Sequence, residues 1–276
     1  MDVEHYLERI GIREKPRPTL ASLRALHRAH LCAIPYEDMD VQLGRKVTIE
    51  RGPIFEKIVT RRRGGWCYEM NGIFGWALGE LGFDVTRSVG AVMREAWGEA
   101  AVRNHLVLKV ELPEGTYLAD VGFGDGPIDP IPVREGAFVS GGFTFTLSRI
   151  DGDWWRLRHH AFGCAPSFDF KLEAVDEGAL AEKCVEMQTS PKSPFTQNLF
   201  CFRHGEGRVQ VLRGRVVRII TPQGVTDRTL DSADELVRFL DEECDLKMPE
   251  AASLWPKICA RHEEVLKSGD GAVISP

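Results

Sequence analysis

The spacing of the hydrophobic residues changes once along this chain, near Gly82, and that change limits the folds the chain can adopt. Before Gly82 the apolar residues recur every three or four positions, as in YEMNGIFGWALGELG. After it they alternate in short runs such as VTRSVGAVM and NHLVLKVEL, which Gly, Pro and Asp turns separate. The first spacing indicates helices and the second indicates strands. The pattern therefore predicts an α+β chain with helices first, then an antiparallel β-barrel or sandwich, then a smaller mixed α/β unit.

Local signals place the ends of several elements. Thr19 is positioned to cap a helix, Gly82 to end one, and Ser232 with Glu235 forms the sequence pattern of a capping box. The segment RVQVLRGRVVRIITPQG predicts a β-hairpin, and the segment SGDGAVISP predicts a loose C-terminal tail.

Composition excludes several classes of protein. The net charge of −6 over 276 residues gives no electrostatic reason to expect nucleic acid or an anionic membrane as a partner. The N-terminus has no apolar segment of the signal-peptide type, and no apolar run is long enough to span a bilayer. The seven cysteines are scattered and contain no C-x-x-C pair. A disulfide framework and a cysteine zinc site are therefore not expected, and a reducing cytoplasm is.

One cysteine, Cys67, lies in a segment suited to a nucleophile, the nine residues RGGWCYEMN. Gly64 and Gly65 precede it and are expected to leave space for a second molecule beside the main chain. A helix is predicted to begin just after it, so its thiol should sit in the first turn. The unpaired N–H groups and the dipole of that turn favour a thiolate over a thiol.

A cysteine nucleophile needs a base and a group that orients the base. His105 begins the strand NHLVLKVEL, and Asp120 ends the next strand, TYLAD. Adjacent antiparallel strands would bring these two side chains together. The order Cys67, His105, Asp120 then predicts a catalytic triad built from one helix and two neighbouring strands.

The other histidines and cysteines have weaker claims. His27 and His30 share a helix face and are predicted to lie on the surface. His159 and His160 are consecutive, so in a strand they would point to opposite faces and could not easily bind one metal. The remaining six cysteines are expected to be small, half-buried hydrophobic residues.

Several segments resemble the arylamine N-acetyltransferase family, in the family's order. They are RGGWCYEMN, NHLVLKV, YLADVGFGDGPIDPIP, IPYEDMD and SPKSPFTQN. The resemblance implies three domains: a helical bundle over 1–82, a β-barrel over 83–190 and an α/β lid over 191–276. It also implies that the first two domains form a Cys-His-Asp core similar to that of papain and transglutaminase.

The resemblance assigns roles to single residues of the core. It implies that Cys67 is the nucleophile, His105 the base and Asp120 the carboxylate that orients it. It also implies that Glu37 and Arg63 form a pair that braces the site.

The same resemblance assigns residues to the two substrates. Gly124 and Gly126 lie in the glycine loop that approaches the coenzyme A pyrophosphate in the family. Tyr36, Phe123 and Phe202 are the expected aromatic lining of the pocket for the amine. Tyr36 stands where many members have phenylalanine, which is a departure that bears on substrate preference.

The activity implied is a ping-pong transfer of an acetyl group from acetyl-CoA, through an acetyl-cysteine, to the nitrogen of an arylamine or hydrazine, with no metal. Xenobiotic metabolism is the setting the family implies, and the chain is expected to act as a monomer or a homodimer. Three other readings stay open: a papain-like or transglutaminase-like amide hydrolase, a macrolactam-forming amide synthase, and a coenzyme A-binding scaffold without activity.

Overall fold

Ten α-helices lie in residues 1–268, the part of the chain that the structure, a computed structural model, describes. They are α1 Val3–Arg9, α2 Leu20–Ala33, α3 Met39–Gln42, α4 Arg51–Phe55, α5 Cys67–Glu80, α6 Arg94–Trp97, α7 Glu177–Thr189, α8 Pro194–Gln197, α9 Ala233–Arg238 and α10 Trp255–Ser268. Shorter 3-10 or π-helical turns lie at Glu56–Thr60, Gly98–Ala101, Phe239–Glu243 and Pro249–Leu254. No helix in this described part is both long enough and apolar enough to pass through a membrane. Residues 269–276 of the predicted loose tail lie outside the described residues.

The predicted helix ends are confirmed where their caps were expected. The Thr19 hydroxyl accepts a hydrogen bond from the backbone N–H of Ser22 at 3.2 Å, at the start of α2. The Ser232 hydroxyl accepts one from the N–H of Glu235 at 3.1 Å, at the start of α9. Gly82 follows α5 with a φ of +86°, which a residue with a Cβ rarely adopts.

The surface position predicted for His27 and His30 is wrong. Both lie on the buried face of α2, with 1% and 0% of their surface exposed. His30 Nδ1 lies 2.7 Å from the hydroxyl of Tyr6, and His27 Nδ1 lies 2.9 Å from the carbonyl oxygen of Ile128. Hydrogen-bond partners supplied by distant segments let these imidazoles be buried, and no local sequence signal reveals such partners.

The main sheet has eight antiparallel strands. In spatial order they are β5 Ile131–Pro132, β4 Gly115–Ala119, β3 His105–Leu112, β2 Asp84–Val92, β9 Ser167–Ala174, β8 Trp155–Arg158, β7 Phe143–Arg149 and β6 Gly136–Ser140. The strands predicted after Gly82 are thus confirmed. Strands β5 and β6 are the two edges and do not pair within residues 1–268, so the sheet is open there rather than a barrel closed by hydrogen bonds.

Helix α5 packs against β3, and this contact positions the start of both elements. Gly75 of α5 lies so close to β3 that an added Cβ would be 2.9 Å from the Leu108 side chain. Leu108 in turn pairs with Ala119, the last residue of β4. The first residue of α5, the first of β3 and the residue after β4 are Cys67, His105 and Asp120.

A second antiparallel sheet combines one strand from the N-terminal part of the chain with four strands from the C-terminal part. Its order is β1 Tyr36–Glu37, β10 Phe200–Gly205, β11 Arg208–Arg213, β12 Val216–Thr221 and β13 Gly224–Thr229. The hairpin predicted from RVQVLRGRVVRIITPQG is confirmed as β11 and β12. The N-terminal segment IPYEDMD supplies β1 to this C-terminal sheet, so the sheet crosses the predicted domain boundaries. The division into three domains at residues 82 and 190 stays a prediction. A second hydrophobic core lies between this sheet and the C-terminal helices.

Candidate active site

Cys67 begins α5 at the bottom of a pocket and is 2% exposed. Its Sγ atom lies 3.8 Å from the carbonyl oxygen of Asn104. Gly64 and Gly65 pack against protein, because an added Cβ would be 2.0 Å from the Pro35 carbonyl oxygen at Gly64 and 2.7 Å from Glu69 Cβ at Gly65. Gly64 therefore admits the segment leading into β1, and Gly65 admits Glu69 in the first turn of α5. The expectation that these glycines leave space for a second molecule is not what the structure shows.

His105 and Asp120 are joined by a hydrogen bond of 2.7 Å between Nε2 and Oδ2. Both side chains are buried. The other carboxylate oxygen, Oδ1, accepts from the Asn71 side chain at 2.7 Å and from the N–H of Gly122 at 2.8 Å. Burial alone would raise the pKa of Asp120, but His105 and these hydrogen bonds lower it below its ordinary value. The carboxylate is therefore ionised, and it leaves His105 Nδ1 as the ring nitrogen available to Cys67.

Asn71 is a site residue that the sequence reasoning did not single out. It is fully buried in α5, one turn after Cys67. Its Nδ2 donates to Asp120 and to the Leu106 carbonyl oxygen, and its Oδ1 accepts from the N–H of Val121 at 2.9 Å. The available signal was an amide four residues after the cysteine, on a helix face that is otherwise apolar.

Burial strongly affects the ionisation of the nucleophile. It raises the pKa of the Cys67 thiol well above its ordinary value, and Asp120 acts in the same direction. Hydrogen bonds from the backbone of Leu106 and Tyr68 oppose the rise. The helix dipole predicted from the sequence favours the thiolate, but desolvation opposes it. The expected thiolate therefore depends on transfer of the proton to His105.

The pocket above Cys67 has a volume of about 650 Å³, which includes solvent-filled space at its mouth, and six of its sixteen lining residues are Phe, Tyr or Trp. The three residues predicted to line it, Tyr36, Phe123 and Phe202, all do so. The rings of Tyr36 and Phe202 meet edge to face at 5.3 Å, because their strands pair in register. Further lining rings that the sequence reasoning did not assign come from Trp97, Phe195 and Phe200.

The glycine loop lies between the nucleophile helix and the second sheet. An added Cβ at Gly122 would be 2.8 Å from Cys67 Cα, and one at Gly124 would be 3.0 Å from the Phe202 ring. Gly124 also has a φ of +89°. Gly126 is less confined, since its nearest neighbour would be Phe123 Cβ at 3.2 Å. The loop is thus fixed by close backbone packing on the nucleophile helix.

Glu37 and Arg63 lie together in a buried group of charges behind Cys67. Arg63 donates to Glu37 at 2.7 Å and to Asp40 at 3.2 Å. Lys57 contacts Asp40 and Glu69, each at 2.9 Å. Glu69 also accepts from the N–H of Trp66 at 3.3 Å, immediately before the nucleophile. These ion pairs hold the turn that carries Cys67.

The positions and burial of the remaining histidines and cysteines differ in part from those expected. Strand β8 ends at Arg158, so His159 and His160 lie in the turn that follows it, with ring centroids 4.2 Å apart. The prediction that they point to opposite faces is therefore wrong. Of the six other cysteines, all free, Cys32 is exposed and Cys259 is partly buried, whereas four are buried: Cys164, Cys184, Cys201 and Cys244.

Comparison with known proteins places this geometry in a family. The profile of an N-acetyltransferase family matches residues 19–253. The arylamine N-acetyltransferase of Escherichia coli K12 is 41% identical over 254 residues, which is 90% of each chain. The solved structure of the Mycobacterium smegmatis arylamine N-acetyltransferase superposes with a TM-score of 0.85 at 32% identity, over 94% of this chain and 97% of that one.

A second solved structure shows a relative with its ligand. It is Mycobacterium marinum arylamine N-acetyltransferase in complex with CoA, with a TM-score of 0.84 and 29% identity over 94% of this chain and 98% of that one. The family profile covers most of the chain, and the relatives and structures agree with it. This chain belongs to the arylamine N-acetyltransferase family and is an acyltransferase.

Proposed function

We propose that the chain transfers an acetyl group from acetyl-CoA to the nitrogen of an arylamine or hydrazine, through an acetyl group held on Cys67. The observation that carries the proposal is the 2.7 Å hydrogen bond between His105 and Asp120 beside a cysteine at the bottom of an aromatic pocket. It fixes the tautomer of His105 and stabilises a positive charge on the imidazole. The CoA complex of the Mycobacterium marinum relative supports acetyl-CoA as the donor.

In the first half-reaction, Cys67 Sγ attacks the thioester carbonyl carbon of acetyl-CoA while His105 takes the thiol proton. A bond from Sγ to the acetyl carbon forms, and the bond from that carbon to the coenzyme A sulfur breaks. The departing sulfur receives the proton from His105. Because desolvation raises the pKa of the Cys67 thiol, this proton transfer is what generates the nucleophile.

In the second half-reaction, the amine nitrogen attacks the acetyl carbon on Cys67. The new bond joins nitrogen to carbon, the bond from Sγ to carbon breaks, and the nitrogen proton returns through His105 to the thiolate. An arylamine is unprotonated at neutral pH and so keeps its lone pair. An alkylamine is mostly protonated and cannot attack.

The aromatic pocket supports an aromatic acceptor. Tyr36, Phe123 and Phe202 present ring faces and edges against which a flat amine can pack. The glycine loop with Gly124 and Gly126 is proposed to receive the coenzyme A phosphates. We also propose that the helices and main sheet form the papain-like core, that the C-terminal unit acts as its lid, and that the enzyme works in the cytoplasm, which its free cysteines support.

The test is mass spectrometry of the protein mixed with acetyl-CoA alone, followed by turnover assays with matched aromatic and aliphatic amines. The expected result is one acetyl group on the Cys67 peptide, removed by an arylamine and not by an alkylamine of similar size. An unmodified Cys67 peptide under conditions that support turnover would exclude the covalent route. Cleavage of peptides without use of acetyl-CoA would instead indicate a hydrolase.

A further inference from the structure

Two histidines with buried side chains hydrogen-bond to successive carbonyl groups of the glycine loop, and they come from different parts of the chain. His204 Nε2, in β10, lies 2.8 Å from the carbonyl oxygen of Gly124. His159 Nε2, in the turn after β8, lies 3.0 Å from the carbonyl oxygen of Asp125. The His159 side chain is 1% exposed, and His204 is 6% exposed as a residue. Water is therefore a weak competitor for these two contacts.

A third histidine holds the same stretch of backbone at its other end. His27 Nδ1, in α2, lies 2.9 Å from the carbonyl oxygen of Ile128. The N–H that follows, that of Asp129, donates to Ser140 Oγ at 3.1 Å. Imidazoles from α2, β10 and the turn after β8 therefore fix the backbone over 124–128.

Each of these imidazoles is neutral, so its single N–H is the group that faces the loop. Burial lowers the pKa of His27 and His159 below the ordinary histidine value, and it lowers the pKa of His204 to about 4. A carbonyl oxygen can only accept a hydrogen bond, so the ring nitrogen beside it must carry the proton. The three histidines are thus fixed hydrogen-bond donors to the backbone at neutral pH.

The carbonyl contacts also set the direction of the N–H groups that follow. In a trans peptide the C=O and N–H groups point in opposite directions, so the Asp125 N–H points away from His204 and the Gly126 N–H points away from His159. Neither of these N–H groups, nor those of the two residues before Asp125, donates a hydrogen bond to any atom of residues 1–268. Successive N–H groups in a turn are a common means of binding phosphate oxygens.

We propose, on the basis of the proposed use of acetyl-CoA, that His159 and His204 are positioning residues for its diphosphate, because they hold the peptides whose N–H groups, on Asp125 and Gly126, receive the phosphate oxygens. The hydrogen bond that each carbonyl accepts also polarises its peptide, which makes the N–H of that peptide a stronger donor. Within the described chain neither histidine lines the catalytic pocket. Both therefore act through the loop and not on the acetyl group.

The negative charge of the loop itself is held on the side of His159. Asp125 Oδ2 accepts from the N–H of Cys164 at 2.7 Å, and Asp125 Oδ1 lies 3.6 Å from His159 Nε2. The Gly126 N–H points the other way. The carboxylate that would repel a phosphate is thus kept apart from the N–H groups that would bind it.

The test compares three acetyl donors that share one thioester. S-Acetylpantetheine has no phosphate, acetyl-dephospho-CoA has the diphosphate without the 3′-phosphate, and acetyl-CoA has both. The rate constant for acetylation of Cys67 by each donor is measured in a single turnover by mass spectrometry.

Four variants isolate the contribution of the two histidines. His204→Leu and His159→Leu remove the donor to the loop, whereas His204→Gln keeps an N–H near the position of Nε2. His30→Leu is the matched control, because His30 is a buried histidine of α2 whose Nδ1 lies 2.7 Å from the Tyr6 hydroxyl rather than beside the loop. Thermal unfolding identifies any variant that does not fold, and the two leucine variants test successive carbonyls independently.

The wild type should react faster with the two diphosphate donors than with S-acetylpantetheine. His204→Leu and His159→Leu should each lower the rates with acetyl-CoA and acetyl-dephospho-CoA by about tenfold or more, since hydrogen bonds to a charged group are lost, and should leave the rate with S-acetylpantetheine nearly unchanged. His204→Gln should recover most of the loss. His30→Leu should keep the wild-type ratio between donors.

Three results would overturn this inference and leave acetyl transfer through Cys67 intact. They are a wild type that does not distinguish S-acetylpantetheine from acetyl-CoA, folded leucine variants that keep the wild-type ratio, and equal losses with all three donors, which would make the histidines only structural. Failure of all three donors to acetylate Cys67 in the wild type would instead overturn the proposed function, and the inference with it.

Discussion

Asn71 and Asp120 are joined by a hydrogen bond of 2.7 Å from the side-chain amide to carboxylate Oδ1, the oxygen that His105 does not use. The two oxygens of one carboxylate thus receive different partners. Asn71 comes from the nucleophile helix, whereas Asp120 follows a strand of the main sheet. This bond therefore sets the position of the base relative to the nucleophile.

Substitution Asn71→Ala should lower kcat/KM for acetyl transfer by about 10- to 100-fold, because Asp120 loses one of its two fixed contacts at Oδ1. The loss should appear in the rate of Cys67 acetylation, measured in a single turnover, rather than in the affinity for the amine. The free energy of unfolding should fall by about 1–3 kcal/mol, because the Val121 N–H and Leu106 carbonyl lose their buried partner. An acetylation rate equal to that of the wild type would show that Asn71 only supports the fold.

Substitution Asp120→Asn should have a larger effect, with kcat falling by about 10³- to 10⁴-fold, as expected when the orienting carboxylate of a triad is lost. The asparagine keeps the size of the side chain but cannot stabilise a charged His105. Circular dichroism and thermal unfolding would check that the fold is retained. Near-normal turnover by a folded Asp120→Asn protein would remove Asp120 from the proposed mechanism.

Alkylation with iodoacetamide near pH 6 should distinguish activation by His105 from simple exposure. Cys32 is the exposed thiol, whereas Cys67 is buried and its pKa is raised by desolvation. If His105 takes the proton from Cys67, that residue should react at least about tenfold faster than Cys32 in the wild type. In His105→Gln the order should reverse. Peptide mapping of both variants gives the two rates, and a wild type labelled first at Cys32 would contradict the proposal.

Glycine substitutions in the loop after Asp120 and in the nucleophile helix should differ in their cost. At Gly122 a methyl group would contact Cys67 Cα at 2.8 Å and Asn71 Nδ2 at 2.6 Å, so the loop must move away from the nucleophile helix. Gly122→Ala should therefore reduce turnover by about 100-fold or more, since a shift of the order of 1 Å has that cost. Gly79→Ala, in α5, is the control, because an added Cβ there would have no atom within 4 Å. Equal losses in the two variants would show that backbone packing at Gly122 is not what matters.

Features that depend on local residue patterns, or on the order of elements along the chain, could be predicted from the sequence. The helix that begins at Cys67 follows from the spacing of its apolar residues, and the pairing of β3 with β4 follows from two alternating runs joined by a turn. Cys67 is the first residue of the helix, His105 is the first residue of β3, and Asp120 follows β4. Packing the helix against this strand pair is therefore enough to bring the three residues close together. That is why the three residues found by order alone share one site.

What the sequence does not reveal depends on contacts between distant segments. The pairing of Tyr36 with Phe202 puts an N-terminal strand into the C-terminal sheet. A strand of two residues is too short for its hydrophobic pattern to predict which sheet edge it joins. The burial of His27 depends on a carbonyl oxygen 101 residues away. Desolvation of Cys67 likewise arises from the whole pocket, so a helix dipole read from the sequence gave an incomplete account of its pKa.

The buried group of charged side chains behind Cys67 contains more acidic than basic residues. Glu37, Asp40 and Glu69 face Lys57 and Arg63, which leaves one negative charge unbalanced if all five are ionised. Burial raises the pKa of Glu69 from its ordinary value of 4.5 to about 7; Lys57 opposes this rise and the neighbouring acids Glu37 and Asp40 add to it. The proton that balances the group therefore resides on Glu69 at mildly acidic pH.

This raised pKa makes the stability of the enzyme depend on pH in a definite direction. Between pH 4.5 and about 7 the folded state binds this proton and the unfolded state does not, so stability from Glu69 is full below that range and is lost as the pH rises through it. Urea unfolding at pH 5 and pH 8 should show the wild type losing about 2–3 kcal/mol more than Glu69→Gln. Glutamine keeps an oxygen that can accept from the Trp66 N–H and Lys57 but cannot titrate, so groups common to both proteins cancel in the comparison. Parallel pH dependence in the two proteins would show that Glu69 does not carry the balancing proton.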